Sequence, residues 1–160
     1  MGSRPIAEAL ETSYPTPSLY LESPYLSKVE SLIDELLPNL LPFFVPLVPK
    51  HFLNRSSKIY YYEDRERTFG APLDDLLNDV EAGLMAAMPT IQKLGNLLLE
   101  NDDGPFLMGK EVSYADFNIV GLLEELEQIG WASRIYELDN SNTLKQLFTA
   151  SQVWLERSRY

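Results

Sequence analysis

Phe106-Leu107-Met108-Gly109-Lys110-Glu111-Val112-Ser113-Tyr114-Ala115-Asp116-Phe117 ends in the start of a helix. Ser113 is placed to cap it. Asp116, three residues on, can return a bond to the Ser113 amide, and Val112 and Phe117 stand at the two positions of a hydrophobic staple. Ala115, Ile119, Leu122, Leu126 and Ile129 then recur at helical spacing, Val120 and Leu123 widen the face, and Gly130 stops it. The pattern predicts a helix over 113–129. An apolar face this wide needs neighbours on several sides, so the segment predicts an all-α bundle with this helix at its centre.

The flanking sequence agrees. No segment of five or more residues alternates apolar and polar cleanly, and there is no internal repeat. Upstream, Leu73, Leu76, Leu77, Val80, Leu84, Ala87, Met88, Ile91, Leu94 and Leu98 form one long amphipathic run, which Pro89 should kink near Met85. Gly70-Ala71-Pro72 breaks the chain before it, and Asp102-Asp103-Gly104-Pro105 ends it. A helix over 56–69, capped by Ser56 or Ser57, carries Tyr60, Tyr61 and Tyr62. At about 100° per residue these three span roughly 200° of helix surface, so at least one hydroxyl must reach solvent, a ligand or another helix.

Ser23-Pro24 reads as a helix start, with Leu26, Val29, Ile33 and Leu36 or Leu37 on its buried face. Pro38, Pro42, Pro46 and Pro49 follow, which predicts a kinked or broken helix there. Residues 13–23 read as a linker, and 3–12 as a short helix that Ser3 can cap. Helices over 131–138 and 142–157 complete the expected order.

Composition narrows the function. The chain has 160 residues, 45% hydrophobic and 23% charged, which suits one globular domain. The formal net charge is −11, concentrated in residues 63–127. That surface would repel nucleic acid and anionic lipid. Every apolar run of membrane-spanning length is interrupted by a charge or a proline. There is no cysteine, hence no disulfide framework and no thiolate, which fits a cytoplasmic protein. His51 is the single histidine and has no partners at the spacing of a zinc site or a hydrolytic triad. Asp74-Asp75, Asp102-Asp103 and Glu124-Glu125 lack calcium-loop spacing. No metal site and no catalytic residue is expected in the chain.

The Phe106–Phe117 segment resembles the capping-box segment of glutathione transferase C-terminal domains, a Gly followed four residues later by Ser or Thr and then x-x-Asp. Ser3-Arg4-Pro5-Ile6-Ala7-Glu8-Ala9-Leu10-Glu11 is similar to the last helix of that family's thioredoxin-like domain. There the pattern is an acid, Ser, two variable residues and Ile-Ala-x-Tyr-Leu. Ser3, Ile6, Ala7 and Leu10 match, while Gly2 replaces the acid and Ala9 the Tyr. Tyr14-Pro15-x-x-Ser18-Leu19 resembles the start of the interdomain linker. Asp64-Arg65-Glu66-Arg67-Thr68-Phe69-Gly70-Ala71-Pro72-Leu73 is similar to a fungal subgroup related to β-etherases.

The resemblance implies three parts: the last helix of a truncated thioredoxin-like domain (1–12), a linker (13–23) and an all-α glutathione transferase C-terminal-like domain (24–160). It implies that most of the thioredoxin-like domain, with the thiolate-stabilising group, lies outside these residues, and that the chain alone is inactive. The implied activity is a detoxifying transfer of glutathione, as co-substrate, to a lipophilic or aromatic electrophile. Ser3 is then the residue that meets the γ-glutamyl carboxylate, since a hydroxyl and free amides at a helix start attract an anion. By itself the same hydroxyl is a helix cap.

Phe43, Phe44, Leu47, Tyr60 and Tyr61 are the candidate substrate wall, an apolar surface with a few hydroxyls. Their composition serves a core equally well. With the companion domain absent, the Phe43–Val48 stretch is expected to stand open and to drive self-association. Ser113 and Asp116 are read as a structural capping box. A lipophilic small molecule is the expected partner, with a homodimer open as a second. The alternative is a non-catalytic helical domain that binds a hydrophobic ligand or a protein partner.

Overall fold

In a computed structural model, residues 3–139 and 141–156 are described. Eight α-helices follow one another: α1 Ser3–Ser13, α2 Pro24–His51, α3 Arg55–Phe69, α4 Val80–Leu98, α5 Tyr114–Gln128, α6 Ala132–Leu138, α7 Thr143–Ala150 and α8 Gln152–Leu155. A 3-10 helix, Leu73–Asp79, leads into α4. Among the described residues the only β-pairing is two isolated bridges before α5, Phe106 with Gly109 and Met108 with Glu111. The fold is all-α, as the capping segment predicts.

α5 lies at the centre. Ala115, Ile119, Val120, Leu123 and Leu126 are buried on it. They meet Leu26, Val29, Leu36, Leu40 and Phe43 of α2, Leu84, Ala87, Ile91, Leu94 and Leu98 of α4, and Leu144 and Leu147 of α7 in one core. Each large side chain buried here contributes about 1.5–3 kcal/mol. α2 has the length and, at a mean hydropathy of 1.4 over its most apolar window, the composition of a membrane span. Leu26, Val29, Leu36, Leu40 and Phe43 join it to the core with α4 and α5, while 28% of that apolar stretch is buried.

Local details depart from the sequence reading in four places. Of the kinked or broken helix expected at the four prolines, the broken form is not what is found: α2 continues through them as one helix. Pro38, Pro42 and Pro46 recur every four residues, so the lost amides fall along one strip and the other peptides keep their ladder bonds. Pro49 leaves the Val45 carbonyl without its helical donor, and the Tyr61 hydroxyl donates to that oxygen at 3.3 Å. α3 is capped by Asn54, whose side chain accepts from the Ser57 amide at 3.0 Å, and neither Ser56 nor Ser57 is the cap. Asn suits this position because its carbonyl reaches an N3 amide.

The 73–98 run is not one helix: its first seven residues form the 3-10 segment. Asp74 and Asp75 favour local turns over α-helix, and the tighter repeat sets Leu73 and Leu76 on one edge. The 142–157 helix is also divided, at the buried Ser151. Beyond it the Trp154 ring meets Phe117 and Phe106 edge-on, with centroids at 5.6 and 5.9 Å. Arg157 lies outside the described residues.

The open apolar surface also lies elsewhere than expected. Phe43, Val45 and Pro46 are buried, and the Phe43 ring stacks on Trp131 at 5.0 Å. Gly83 lets α4 approach α2 closely enough to close that stretch: a Cβ at this position would stand 2.5 Å from the Asn39 carbonyl oxygen. The exposed apolar side chains include Ile6 and Leu10 of α1 with Tyr14 just beyond it, Phe52, Ile59 and Tyr60 near the α2–α3 corner, and, singly, Leu37, Phe69, Met85, Leu99, Val153 and Trp154.

Candidate functional site

The site is built from the start of α1. Ser3 opens the helix, and its first-turn amides have no partners within the helix. The Arg4 guanidinium reaches across to Glu30 of α2 at 2.7 Å, an exposed ion pair between the two helices. Ser3 lines a cleft of about 400 Å³ together with Glu30, Ile33 and Asp34 of α2 and Tyr114 and Asn118 of α5. Leu37 follows Ile33 by one turn of α2 and is 39% exposed. Glu30, Ile33, Asp34 and Leu37 share an arc of about 100° on α2, beside the buried arc that holds Leu26, Val29, Leu36 and Leu40.

The charges in the cleft are distributed unevenly. Glu30 is neutralised by Arg4, while the Asp34 carboxylate has no partner among the described residues. A helix start that attracts anions and a free carboxylate that attracts cations therefore open on one space. That arrangement can hold both ends of a zwitterion.

The cleft owes its shape to the capping segment. Ser113 accepts from the Asp116 amide at 3.4 Å, and the Asp116 carboxylate accepts from the Ser113 amide at 2.7 Å and the Ser113 hydroxyl at 2.6 Å. The other Asp116 oxygen accepts from the Leu107 amide at 2.9 Å, so one side chain both caps α5 and holds the preceding loop. Burial pushes the Asp116 carboxyl up, and these hydrogen bonds pull it back only in part. The Tyr114 amide donates to the Leu19 carbonyl at 2.9 Å, which ties the 14–23 segment to the start of α5.

The proposed wall residues are not gathered here. Phe43 is fully buried, and Phe44 and Leu47 pack half-buried against the same core. Tyr60 is 72% exposed. Tyr61 is half-buried on Val45, and burial raises its hydroxyl pKa against the pull of Arg65. His51 ends α2, exposed, beside Phe52. Among the described residues no group of His, Asp and Glu could hold a metal ion.

Sequence reasoning missed Asp34, Leu37 and Asn118. Ile33 sits at the edge of the buried face, and of the two residues left open for its next position Leu36 is buried and Leu37 is exposed. The available signal was the acidic pair Glu30 and Asp34 on the adjoining arc, since charges there mark where a core face ends.

The all-α bundle has the fold of a glutathione transferase C-terminal domain. The chain belongs to that family: residues 28–154 match the glutathione S-transferase C-terminal domain. It is 29% identical over 175 aligned residues to the glutathione S-transferase-like protein ustS of Aspergillus flavus, across 98% of this chain and 61% of that protein. Its fold superposes on a glutathione S-transferase of Ceriporiopsis subvermispora, solved in complex with glutathione, with a TM-score of 0.74 at 20% identity. That match covers 94% of this chain and 65% of the other. The chain thus spans less than two thirds of either relative.

Proposed function

We propose that the chain is the electrophile-binding part of a glutathione transferase and that the γ-glutamyl end of glutathione occupies the Ser3 cleft. The observation that carries this reading is the meeting of an anion-attracting helix start and the unpaired Asp34 on one cleft. The γ-glutamyl end is a zwitterion: its carboxylate faces Ser3 and the free amides of α1, and its ammonium faces Asp34. The electrophile lies further along α2, against Leu37.

In the reaction the glutathione thiolate forms a sulfur–carbon bond to the electrophile. The displaced electron pair leaves with the departing group or enters the acceptor's π-system. The thiolate is stabilised by the rest of the thioredoxin-like domain, which packs on the exposed Ile6 and Leu10 of α1 and on Tyr14 beyond it, and we assign the protein to the cytosol, which keeps glutathione reduced.

The test is a fusion of the chain to a relative's thioredoxin-like domain, assayed with a generic aromatic electrophile. Ser3→Ala should raise KM for glutathione about tenfold, the worth of one hydrogen bond to a charged group, and leave KM for the electrophile unchanged. Leu37→Asp should do the reverse. The chain without the fusion should not exceed the uncatalysed rate. An unchanged glutathione KM in Ser3→Ala would remove the cleft from the reading, and saturable conjugation by the chain alone would remove the division of labour.

A further inference from the structure

A cavity larger than the Ser3 cleft, about 670 Å³, opens at the far end of α1. The second half of α1, residues 18–23, the start of α2 and the loop before α5 enclose it. A space of this size takes a small organic molecule. Tyr20, Tyr25 and Met108 give it apolar and polarisable surface.

The charges that line it have one sign. Glu8, Glu11 and Glu22 line the cavity, and no Lys or Arg does. Glu11 is committed to the walls: it accepts from the Ser18 hydroxyl at 2.6 Å and the Leu19 amide at 2.7 Å. Glu8 is shared with Arg4 at 3.3 Å. Glu22 has no partner among the described residues. The Lys28 ammonium lies 5.3 Å from the centroid of the Tyr25 ring and is held away by its pair with Glu100 at 3.3 Å. The Ser23 hydroxyl donates to the Met108 sulfur at 3.6 Å and steadies the thioether that closes one side. The Glu11 bonds and the Leu19–Tyr114 backbone bond make the walls before any ligand arrives.

We propose that this cavity is a ligand site for a small lipophilic cation, an aryl or alkyl ammonium whose charge faces the unpaired Glu22 and whose apolar body lies on Tyr20, Tyr25 and Met108. The unpaired Glu22 and the Glu11 carboxylate, whose donors are uncharged, disfavour an anion of the same shape, and aromatic faces favour a weakly hydrated ammonium. The site is separate from the Ser3 cleft and independent of the transferase reading.

The experiment titrates the 160-residue chain with benzyltrimethylammonium and, as the anionic counterpart, benzenesulfonate, following backbone amide shifts by NMR. The cation should saturate at one site, with shifts concentrated at residues 18–25 and Met108, and the anion should not. Glu22→Lys, an exposed position that leaves the fold intact, should weaken the cation about tenfold. Tyr25→Leu should weaken it several-fold, and Ser3→Ala should leave it unchanged. Absence of saturation, equal binding of benzenesulfonate, or full affinity in Glu22→Lys would each overturn the proposal.

Discussion

Asp116 gathers the Ser113 amide, the Ser113 hydroxyl and the Leu107 amide on one buried carboxylate. Loss of the cap alone, in Ser113→Ala, should destabilise the chain by about 1 kcal/mol in denaturant melts. Asp116→Ala should cost more, about 2–3 kcal/mol, because it also orphans the Leu107 amide in a dry site. The double substitution should cost less than the sum, since both break one box; strict additivity would deny the coupling.

The same carboxyl predicts an inverted pH response. Its pKa is raised in the folded state, so its contribution to stability is full below the unfolded carboxylate value of about 4 and declines as pH rises through the folded value. Glu35 is held down by the Thr90 hydroxyl and then by Lys93, so its contribution is present above the unfolded value and is lost as pH falls through the lowered folded one. Between pH 3 and 7, the stability difference from wild type should therefore slope in opposite directions for Asp116→Asn and Glu35→Gln. Parallel slopes would reject this account.

At the scale of the element, α2 decides most. Its prolines suggested a kink or a break, because sequence shows which amides are missing but not what replaces them. The Tyr61 hydroxyl, sixteen residues beyond Val45 on another helix, supplies one bond that no local pattern announces. Tyr61→Phe should cost about 1 kcal/mol through the unpaired Val45 carbonyl. The closeness of α2 and α4 is equally non-local. Gly83→Ala would set a methyl 2.5 Å from the Asn39 carbonyl and should destabilise by about 1–3 kcal/mol, although alanine is the better helix former. A neutral or stabilising Gly83→Ala in thermal melts would mean that the two helices can part without cost.

For the whole molecule, the position of the open apolar surface changes what aggregation should depend on. Phe43 lies in the core on Trp131, so Phe43→Ala should cost about 3–5 kcal/mol and raise dye binding by unfolding. The Ile6, Leu10 and Tyr14 stripe repeats at four-residue intervals on an exposed face. Ile6→Glu with Leu10→Lys should lower hydrophobic-dye binding and self-association while shifting the melting temperature little, since both side chains are about half exposed. Unchanged dye binding in that double variant would place the sticky surface at the Ile59 and Tyr60 corner instead.

The sequence by itself determined the helical class, the α5 capping box, the order of the helices and the likeness to glutathione transferases. These rest on spacing, capping and turn chemistry, which act within a few residues. Asn54 shows where even this range misleads, because three nearby residues could each cap α3 and only the geometry of the turn selects one. What only the tertiary structure decided is which apolar residues face a cleft. Ile33, Leu37, Phe43 and Phe44 are equally apolar in one dimension. Their fates divide because α4, α5, the 3-10 helix and α3 cover different arcs of α2. Burial is a property of the neighbours, and neighbours that lie tens of residues away leave no periodic mark on the segment they cover.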